Sequence, residues 1–310
     1  MKILEGQASA LSPIDLSMVV VNWNTRDLLS QCLASIERYP PNGVYEVWVV
    51  DNASPDGSVQ MVRERFPWVQ IVENRDNVGF ARANNQAIRM CSGRYIVLLN
   101  SDVKIHTNTL QTILEFLDAE PDVAVVGCRL FNADGSLQRY PSRTLTLFRL
   151  FVIFWHLPGY SALWKGETES LQPREVERVK GACIAIRHAA LEEVGLMDEG
   201  FFLYAEEDDW CLRFRRHRWK IVFLPDAEVT HYGGASTEQI SAQARVHLYR
   251  SRTRFLRKHY GSVAARIFKL AILGTYIGKL VYSKLLSGLK PDRFGSDEIY
   301  IAVLRSARKF

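Results

Sequence analysis

The stretch Phe201-Phe202-Leu203-Tyr204-Ala205-Glu206-Glu207-Asp208-Asp209-Trp210-Cys211-Leu212-Arg213 places four consecutive carboxylates behind an aromatic run. They open an amphipathic segment. Like charges this close raise the pKa of at least one member unless cations or hydrogen bonds compensate. A carboxylate so raised is suited to act as a general base. A solvated acidic helix N-terminus, favoured by the helix macrodipole, accounts for the same residues without chemistry. Chemistry gains weight because other polar segments end short apolar runs: Asn22, Asp51-Asn52 and Asn100-Ser101-Asp102.

Those runs belong to an alternating pattern. Leu16–Val21, Glu46–Val50, Val69–Val72, Tyr95–Leu99 and Val123–Gly127 read as strands. Between them, Leu28, Leu29, Cys32, Leu33 and Ile36 recur at helical spacing, and Pro55-Asp56-Gly57-Ser58 is a turn and helix start. Asn77-Val78-Gly79-Phe80-Ala81 leads into a helix reaching about Met90, and Thr109–Ala119 supplies another. The alternation predicts an α/β fold, a mostly parallel sheet flanked by helices. Ligands of such sheets bind beyond the carboxyl ends of the strands. Asn and Asp also end strands because they suit turns, but three such ends in one sheet converge on the ligand position.

A dinucleotide-binding domain would need Gly-x-Gly after the first strand, where this chain has Asn22-Trp23-Asn24. There is no Walker A sequence. A diphosphate must therefore be held by a metal or by basic side chains, and Asp102 is a candidate metal ligand.

The 310 residues, 47% of them hydrophobic, suit one large domain with an appendage. Five scattered cysteines with no Cys-x-x-Cys point to reduced thiols in a cytoplasmic protein. No basic segment followed by an apolar core marks a signal peptide at the N-terminus. The net charge of +5 hides an asymmetry. Residues from Gln239 onward carry 15 Lys and Arg against 3 Asp and Glu, a net +12; the preceding residues carry 24 against 31, a net −7. The expected division is a catalytic domain over 1–238 and a basic, partly amphipathic helical extension over 239–310.

In the second half, Asn132-Ala133-Asp134-Gly135 is a hairpin signal and Lys220–Leu224 a short strand. The aromatic segment Thr144–Trp164 reads either as a buried helix or as a flap or membrane-contacting loop. Its interruption by Arg149, His156 and Pro158-Gly159 argues against a transmembrane span. His247–Tyr260 forms a helix with a basic face that is either solvated or within reach of a diphosphate. Residues 262–289 carry Arg266, Lys269, Lys279 and Lys284 among apolar neighbours. They read as an amphipathic helix on an anionic membrane surface, or as an oligomerisation helix making a homo-oligomer.

Taken together, Val19-Val20-Val21-Asn22-Trp23-Asn24, Val49-Val50-Asp51-Asn52-Ala53-Ser54-Pro55-Asp56-Gly57-Ser58, Asn77-Val78-Gly79-Phe80-Ala81-Arg82-Ala83-Asn84-Asn85, Leu98-Leu99-Asn100-Ser101-Asp102, Lys180-Gly181-Ala182-Cys183, the acidic cluster and His231-Tyr232-Gly233-Gly234-Ala235-Ser236 resemble the family 2 inverting glycosyltransferases of GT-A fold, rhamnosyltransferase-like members in particular. The match runs in consistent order over roughly residues 15–260. The resemblance implies that Asp51 hydrogen-bonds the base of a nucleotide-sugar donor, with Asn22, Asn52 and Arg82 near the nucleotide. It implies that Asn100 and Asp102 stand on an Asp-x-Asp motif, with Asp102 binding Mg²⁺ or Mn²⁺ and His231 a second metal or phosphate ligand. Asn100 departs from the motif and is the weaker ligand. Counting back from Trp210-Cys211 puts Glu207 on the usual base position, preceded by Glu206. Asp208 is the rival, being of the usual residue type.

The resulting expectation is a metal-dependent inverting glycosyltransferase, peripheral on the inner face of the cytoplasmic membrane. It moves a sugar, L-rhamnose from dTDP-rhamnose by resemblance alone, onto a glycan or lipid-linked acceptor in cell-envelope polysaccharide synthesis. A nucleotidyltransferase on the same sheet is one alternative and predicts pyrophosphate release. A non-catalytic nucleic-acid-binding protein using the basic tail is another. The apolar content of the tail, and the lack of a nucleic-acid-binding motif, weigh against nucleic acid as a partner.

Overall fold

The computed structural model describes residues 14–140, 142–158, 170–233, 241–286 and 297–307. The expected alternation is present in the first half: β1 (Leu16–Asn22), α1 (Arg26–Arg38), β2 (Tyr45–Asp51), α2 (Ser58–Arg65), β3 (Gln70–Glu73), α3 (Phe80–Ile88), β4 (Tyr95–Asn100), β5 (Val103–Ile105) and α4 (Thr109–Ala119). The chain continues through β6 (Val123–Phe131), α5 (Leu147–Trp155), β7 (Arg174–Glu175), β8 (Cys183–Arg187), α6 (His188–Val194), α7 (Glu206–Arg216) and β9 (Lys220–His231). Two helices follow, α8 (Ser241–Leu286) and α9 (Asp297–Ser306).

One sheet runs in the order β3-β2-β1-β4-β8-β6-β9-β5, with β7 pairing β9 at the side. The β3-β2-β1-β4 half is parallel throughout. The other half is mixed: β8 lies antiparallel between β4 and β6, β9 runs parallel to β6, and β5 and β7 pair antiparallel to β9. The parallel reading therefore holds across β3-β2-β1-β4, where strands and helices alternate, and ends at β8, which enters the sheet antiparallel to both of its neighbours.

Every residue of β1 is buried, as expected for a strand covered on both faces. Leu16, Met18 and Val20 join α1 and α4 in one layer of core, while Val19 and Val21 join α3, Trp210 and Phe214 in the opposite layer. A third cluster ties the C-terminal helices to the acidic segment, with Phe201 and Ala205 packing beside Tyr249, Phe255, Phe268, Ile272 and Tyr276. The backbone of α8 breaks at Gly261, where φ is 86°, so the basic first half and the apolar second half point differently.

The aromatic segment resolves as helix α5, capped by Thr146, whose side chain accepts from Arg149 N at 3.1 Å. Phe154 packs edge-on against Tyr249 and Phe268, while Phe148 is 73% exposed. Residues 159–169, the rest of that segment, lie outside the described residues. The hairpin signal is met by a turn at Asn132–Ser136 and a bridge between Phe131 and Leu137. The last strand extends to His231, seven residues beyond its expected end. Among the described residues, no helix is long and apolar enough to cross a membrane.

Candidate active site

The ends of β1, β2 and β4 lie side by side in register, Asn22 opposite Asp51 and Val21 opposite Asn100. A fourth position comes from the other half of the sheet. Pairing of β5 with β9 sets Val103 opposite His231, and Tyr232 N donates to Asp102 O at 3.0 Å. Two residues far apart in sequence thus meet over one cavity of about 360 Å³, lined by Trp23, Asn52, Asn77, Asn100, Asp102, Lys180, Glu206, Glu207 and His231 among others.

Asp102 Oδ1 stands 3.4 Å from His231 Nε2, and both side chains are buried. His231 Nδ1 lies 2.7 Å from Gln138 Oε1, which also accepts from Lys180 Nζ at 2.7 Å. An amide oxygen only accepts, so this network assigns the proton to Nδ1 and leaves the Nε2 lone pair between Asp102 and Asn100, whose Nδ2 lies 3.4 Å away. Two acceptors 3.4 Å apart on one wall suit adjacent corners of an octahedral metal site, about 3 Å apart. Among the described residues no group of three or more His, Cys, Asp or Glu could hold a metal. The pair fits an ion whose remaining ligands come from a phosphate or water, as for Mg²⁺.

The expected nucleotide residues divide. Asn52 lines the cavity and its Oδ1 accepts from Asn74 Nδ2 at 2.9 Å. Asp51 is 3% exposed; its oxygens accept from Asn22 Nδ2 and Ser54 N, each at 2.8 Å. Asn22 Oδ1 in turn accepts from Thr25 Oγ1 at 2.7 Å. Asn22 and Asp51 therefore order the loops after β1 and β2 beside the cavity. Arg82 is set apart: its side chain is 59% exposed on α3, 3.8 Å from Glu199, and is not among the residues lining the cavity.

The acidic cluster forms the first turn of α7. Tyr204 and Ala205, just before it, both have left-handed backbones with φ of 70° and 63°. Such conformations are costly for residues other than glycine and cluster at functional sites. On the other side, Phe80 N donates to Phe202 O at 2.7 Å. A Cβ on Gly79, itself at φ 87°, would lie 2.6 Å from that oxygen, so only glycine permits this approach.

The four carboxylates meet four fates. Glu206 and Glu207 line the large cavity. Burial, with the charge of Glu207 adding to it, raises Glu206 well above the ordinary carboxylate range. Burial and the charge of Asp208 push Glu207 up to about 7, against the pull of Arg178. Asp208 is raised by burial and held down by Arg178, whose Nε stands 2.5 Å from its Oδ1. Asp209 is fully buried, accepting from His259, Lys258 and Arg213 at 2.7, 2.7 and 2.9 Å. Burial would raise it, but those donors outweigh burial and hold it at about 2.

A second cavity of about 200 Å³ lies behind Glu207, lined by Leu145, Ile153, Arg178, Asp208, Leu248 and Arg252. Lys180, Tyr204 and Glu207 border both cavities. Sequence reasoning missed Arg178 as a site residue and gave Lys180 no role. The only local hint was that four adjacent carboxylates require cations nearby. Half of the basic face of His247–Tyr260 is spent within the fold: Arg254 and Lys258 reach Asp198 at 2.9 and 2.8 Å, and His259 reaches Asp209.

Fold and site together define a glycosyltransferase of GT-A type. The chain belongs to the family described as glycosyl transferase family 2, whose sequence profile matches residues 17–195. It is 26% identical over 238 residues to the N-acetylglucosaminyl-diphospho-decaprenol L-rhamnosyltransferase of Mycobacterium tuberculosis, covering 72% of this chain and 77% of that one. It is 24% identical over 293 residues to the low-salt glycan biosynthesis hexosyltransferase Agl10 of Haloferax volcanii, covering 91% and 90%. Among solved structures, the mannosyltransferase PcManGT of Pyrobaculum calidifontis, in complex with GDP-Man and Mn²⁺, superposes with a TM-score of 0.58 at 18% identity over 97% of this chain and 89% of that one.

Proposed function

We propose that the protein transfers a sugar, L-rhamnose from dTDP-rhamnose, with inversion onto a lipid-linked or glycan acceptor in cell-envelope polysaccharide assembly. The observation that carries the reading is the position of Glu207, which borders both cavities while Asp208 borders only the smaller one. The donor occupies the larger cavity and the acceptor hydroxyl comes to Glu207 from the smaller. Glu207 takes the hydroxyl proton as the acceptor oxygen bonds to the anomeric carbon. The bond from that carbon to the diphosphate oxygen breaks, and the nucleoside diphosphate leaves with the electron pair. Asp208, neutralised by Arg178, keeps the guanidinium in place. Asn52 faces the donor nucleotide, and Asp51 orders the loop that carries it.

Asp102 and His231 would hold the divalent cation, Mg²⁺ or Mn²⁺, and Lys180 adds a positive charge beside them. Such an ion neutralises charge developing on a departing diphosphate. Support comes from the facing acceptor atoms of Asp102 and His231. Similarity to the N-acetylglucosaminyl-diphospho-decaprenol L-rhamnosyltransferase of Mycobacterium tuberculosis supports the sugar and acceptor classes.

The same reading places the protein at the cytoplasmic face of the membrane. Val263, Ile267, Leu270, Ile277 and Val281 recur on the exposed side of α8, interspersed with Arg266, Lys269, Lys279 and Lys284. Apolar residues flanked by cations suit an interface of anionic lipid. Five free, buried cysteines are consistent with a reducing compartment.

A panel of nucleotide sugars, assayed for slow hydrolysis with Mg²⁺ or Mn²⁺, tests the donor assignment. Release of thymidine diphosphate from dTDP-rhamnose is expected. Pyrophosphate release, or turnover of another donor alone, would overturn it.

A further inference from the structure

We infer that the smaller cavity behind Glu207 is a binding site for the phosphate or diphosphate group of a lipid-linked acceptor, with Arg252 as its principal ligand. The inference rests on the transferase reading above and specifies the acceptor.

Three cations, Arg178, Lys180 and Arg252, border this cavity together with two carboxylates, Glu207 and Asp208. Arg178 is committed to Asp208, and Lys180 donates to Gln138. Arg252 differs: among the described residues its guanidinium has neither hydrogen bond nor salt bridge, though the field of Asp208 acts on it. Burial pulls its pKa below the ordinary value. A half-buried guanidinium that lines a cavity without a bonded carboxylate is placed to meet an anionic ligand. Guanidinium also matches phosphate oxygens with two parallel donors.

The rest of the wall says what the anion is attached to. Leu145, Ile153 and Leu248 line the same cavity. At about 200 Å³ the space equals roughly seven water molecules, enough for a diphosphate and too small for a long hydrocarbon chain. The chain must leave between α5 and α8. Phe148 and Trp155 are exposed on α5, and the apolar stripe of α8 is exposed beside its basic residues. A lipid diphosphate bearing a sugar would thus set its sugar hydroxyl at Glu207, its anion at Arg252 and its lipid toward the membrane side.

Titration calorimetry of geranyl diphosphate into the full chain, with thymidine diphosphate and Mn²⁺ saturating the donor side, tests this site. The wild type should bind it, and Arg252→Gln should weaken binding about 10- to 100-fold, as for loss of one charged hydrogen-bonding group. Leu248→Trp, which fills the cavity without removing charge, should weaken it too. Geraniol should bind neither protein. Absent wild-type binding, wild-type affinity retained by Arg252→Gln or by Leu248→Trp, or geraniol binding as tightly as geranyl diphosphate would overturn the inference. Inorganic pyrophosphate binding as tightly as geranyl diphosphate would make this a free-anion site and overturn the lipid-linked assignment. Thymidine diphosphate titrated alone reports on the donor side, so its failure to bind strikes the transferase reading and not this one.

Discussion

Arg178 Nε lies 2.5 Å from Asp208 Oδ1, and the same guanidinium reaches Glu207 Oε1 through Nη2 at 3.4 Å. The shorter contact commits Asp208. The longer one leaves Glu207 Oε2 with no hydrogen-bond partner among the described residues. The two adjacent carboxylates therefore have different work.

Glu207→Gln should lower kcat by a general-base factor of about 10²–10⁴ with donor affinity nearly unchanged. Asp208→Asn should lower kcat less and act on stability, because a buried Arg178 loses its partner, a change worth about 3–5 kcal/mol. Steady-state kinetics and denaturant melts on both variants check this. The reverse ranking would move the base to Asp208.

The pH dependence follows from Glu207, pushed up to about 7 by burial and by Asp208. A base works unprotonated, so kcat/KM should rise with pH and level off above about 7. Arg178 pulls this pKa down, and Arg178→Gln should shift the rise to higher pH. The effect on stability has the opposite sense. The folded state keeps a proton that the unfolded chain loses above 4.5, so this group makes stability fall from 4.5 to about 7. A profile unmoved by Arg178→Gln would separate Glu207 from the rate.

Asp102→Asn should abolish metal-dependent donor binding and turnover while the melting temperature stays close to that of wild type, since Asp102 borders the cavity. Calorimetry with nucleoside diphosphate and Mn²⁺ reads this directly. Wild-type activity undiminished by EDTA would remove the metal from the mechanism.

Asp209 joins α7 to α8 through His259 and Lys258. Its pKa falls from 3.8 to about 2 on folding, so its contribution is fully present above pH 3.8 and lost as pH drops through about 2. The expected loss is about 2 kcal/mol, seen as a fall in melting temperature across that window, and it should be absent in Asp209→Asn.

Truncation at Gly261 is a poor test of membrane docking, because Ala265, Phe268, Ile272 and Tyr276 belong to the core shared with Phe201 and Tyr249. Leu270→Glu with Ile277→Glu alters only exposed positions. The double variant should lose flotation with liposomes of anionic lipid and keep its melting temperature. Retained flotation with a changed oligomeric state would assign this face to subunit contact.

Much of the fold was legible because its signals are short-ranged. A buried strand such as Leu16–Asn22 reads as an unbroken apolar run, and Asn or Asp at its end marks the ligand side. The acidic run itself was legible as the start of a helix, and α7 does begin at Glu206. Residues whose roles come from distant chain segments were another matter. Nothing near Arg178 or Arg252 in sequence shows that they meet the acidic turn. His231 faces Asp102 only because β5 pairs antiparallel with β9, and Arg82, three residues from Gly79 in the cavity wall, turns outward to Glu199. Local periodicity thus determined the strands, the helices and the polar strand ends. Strand pairing across the second half, and packing between distant segments, decided that Asp208 is the carboxylate held against Arg178 and Glu207 the one bordering both cavities.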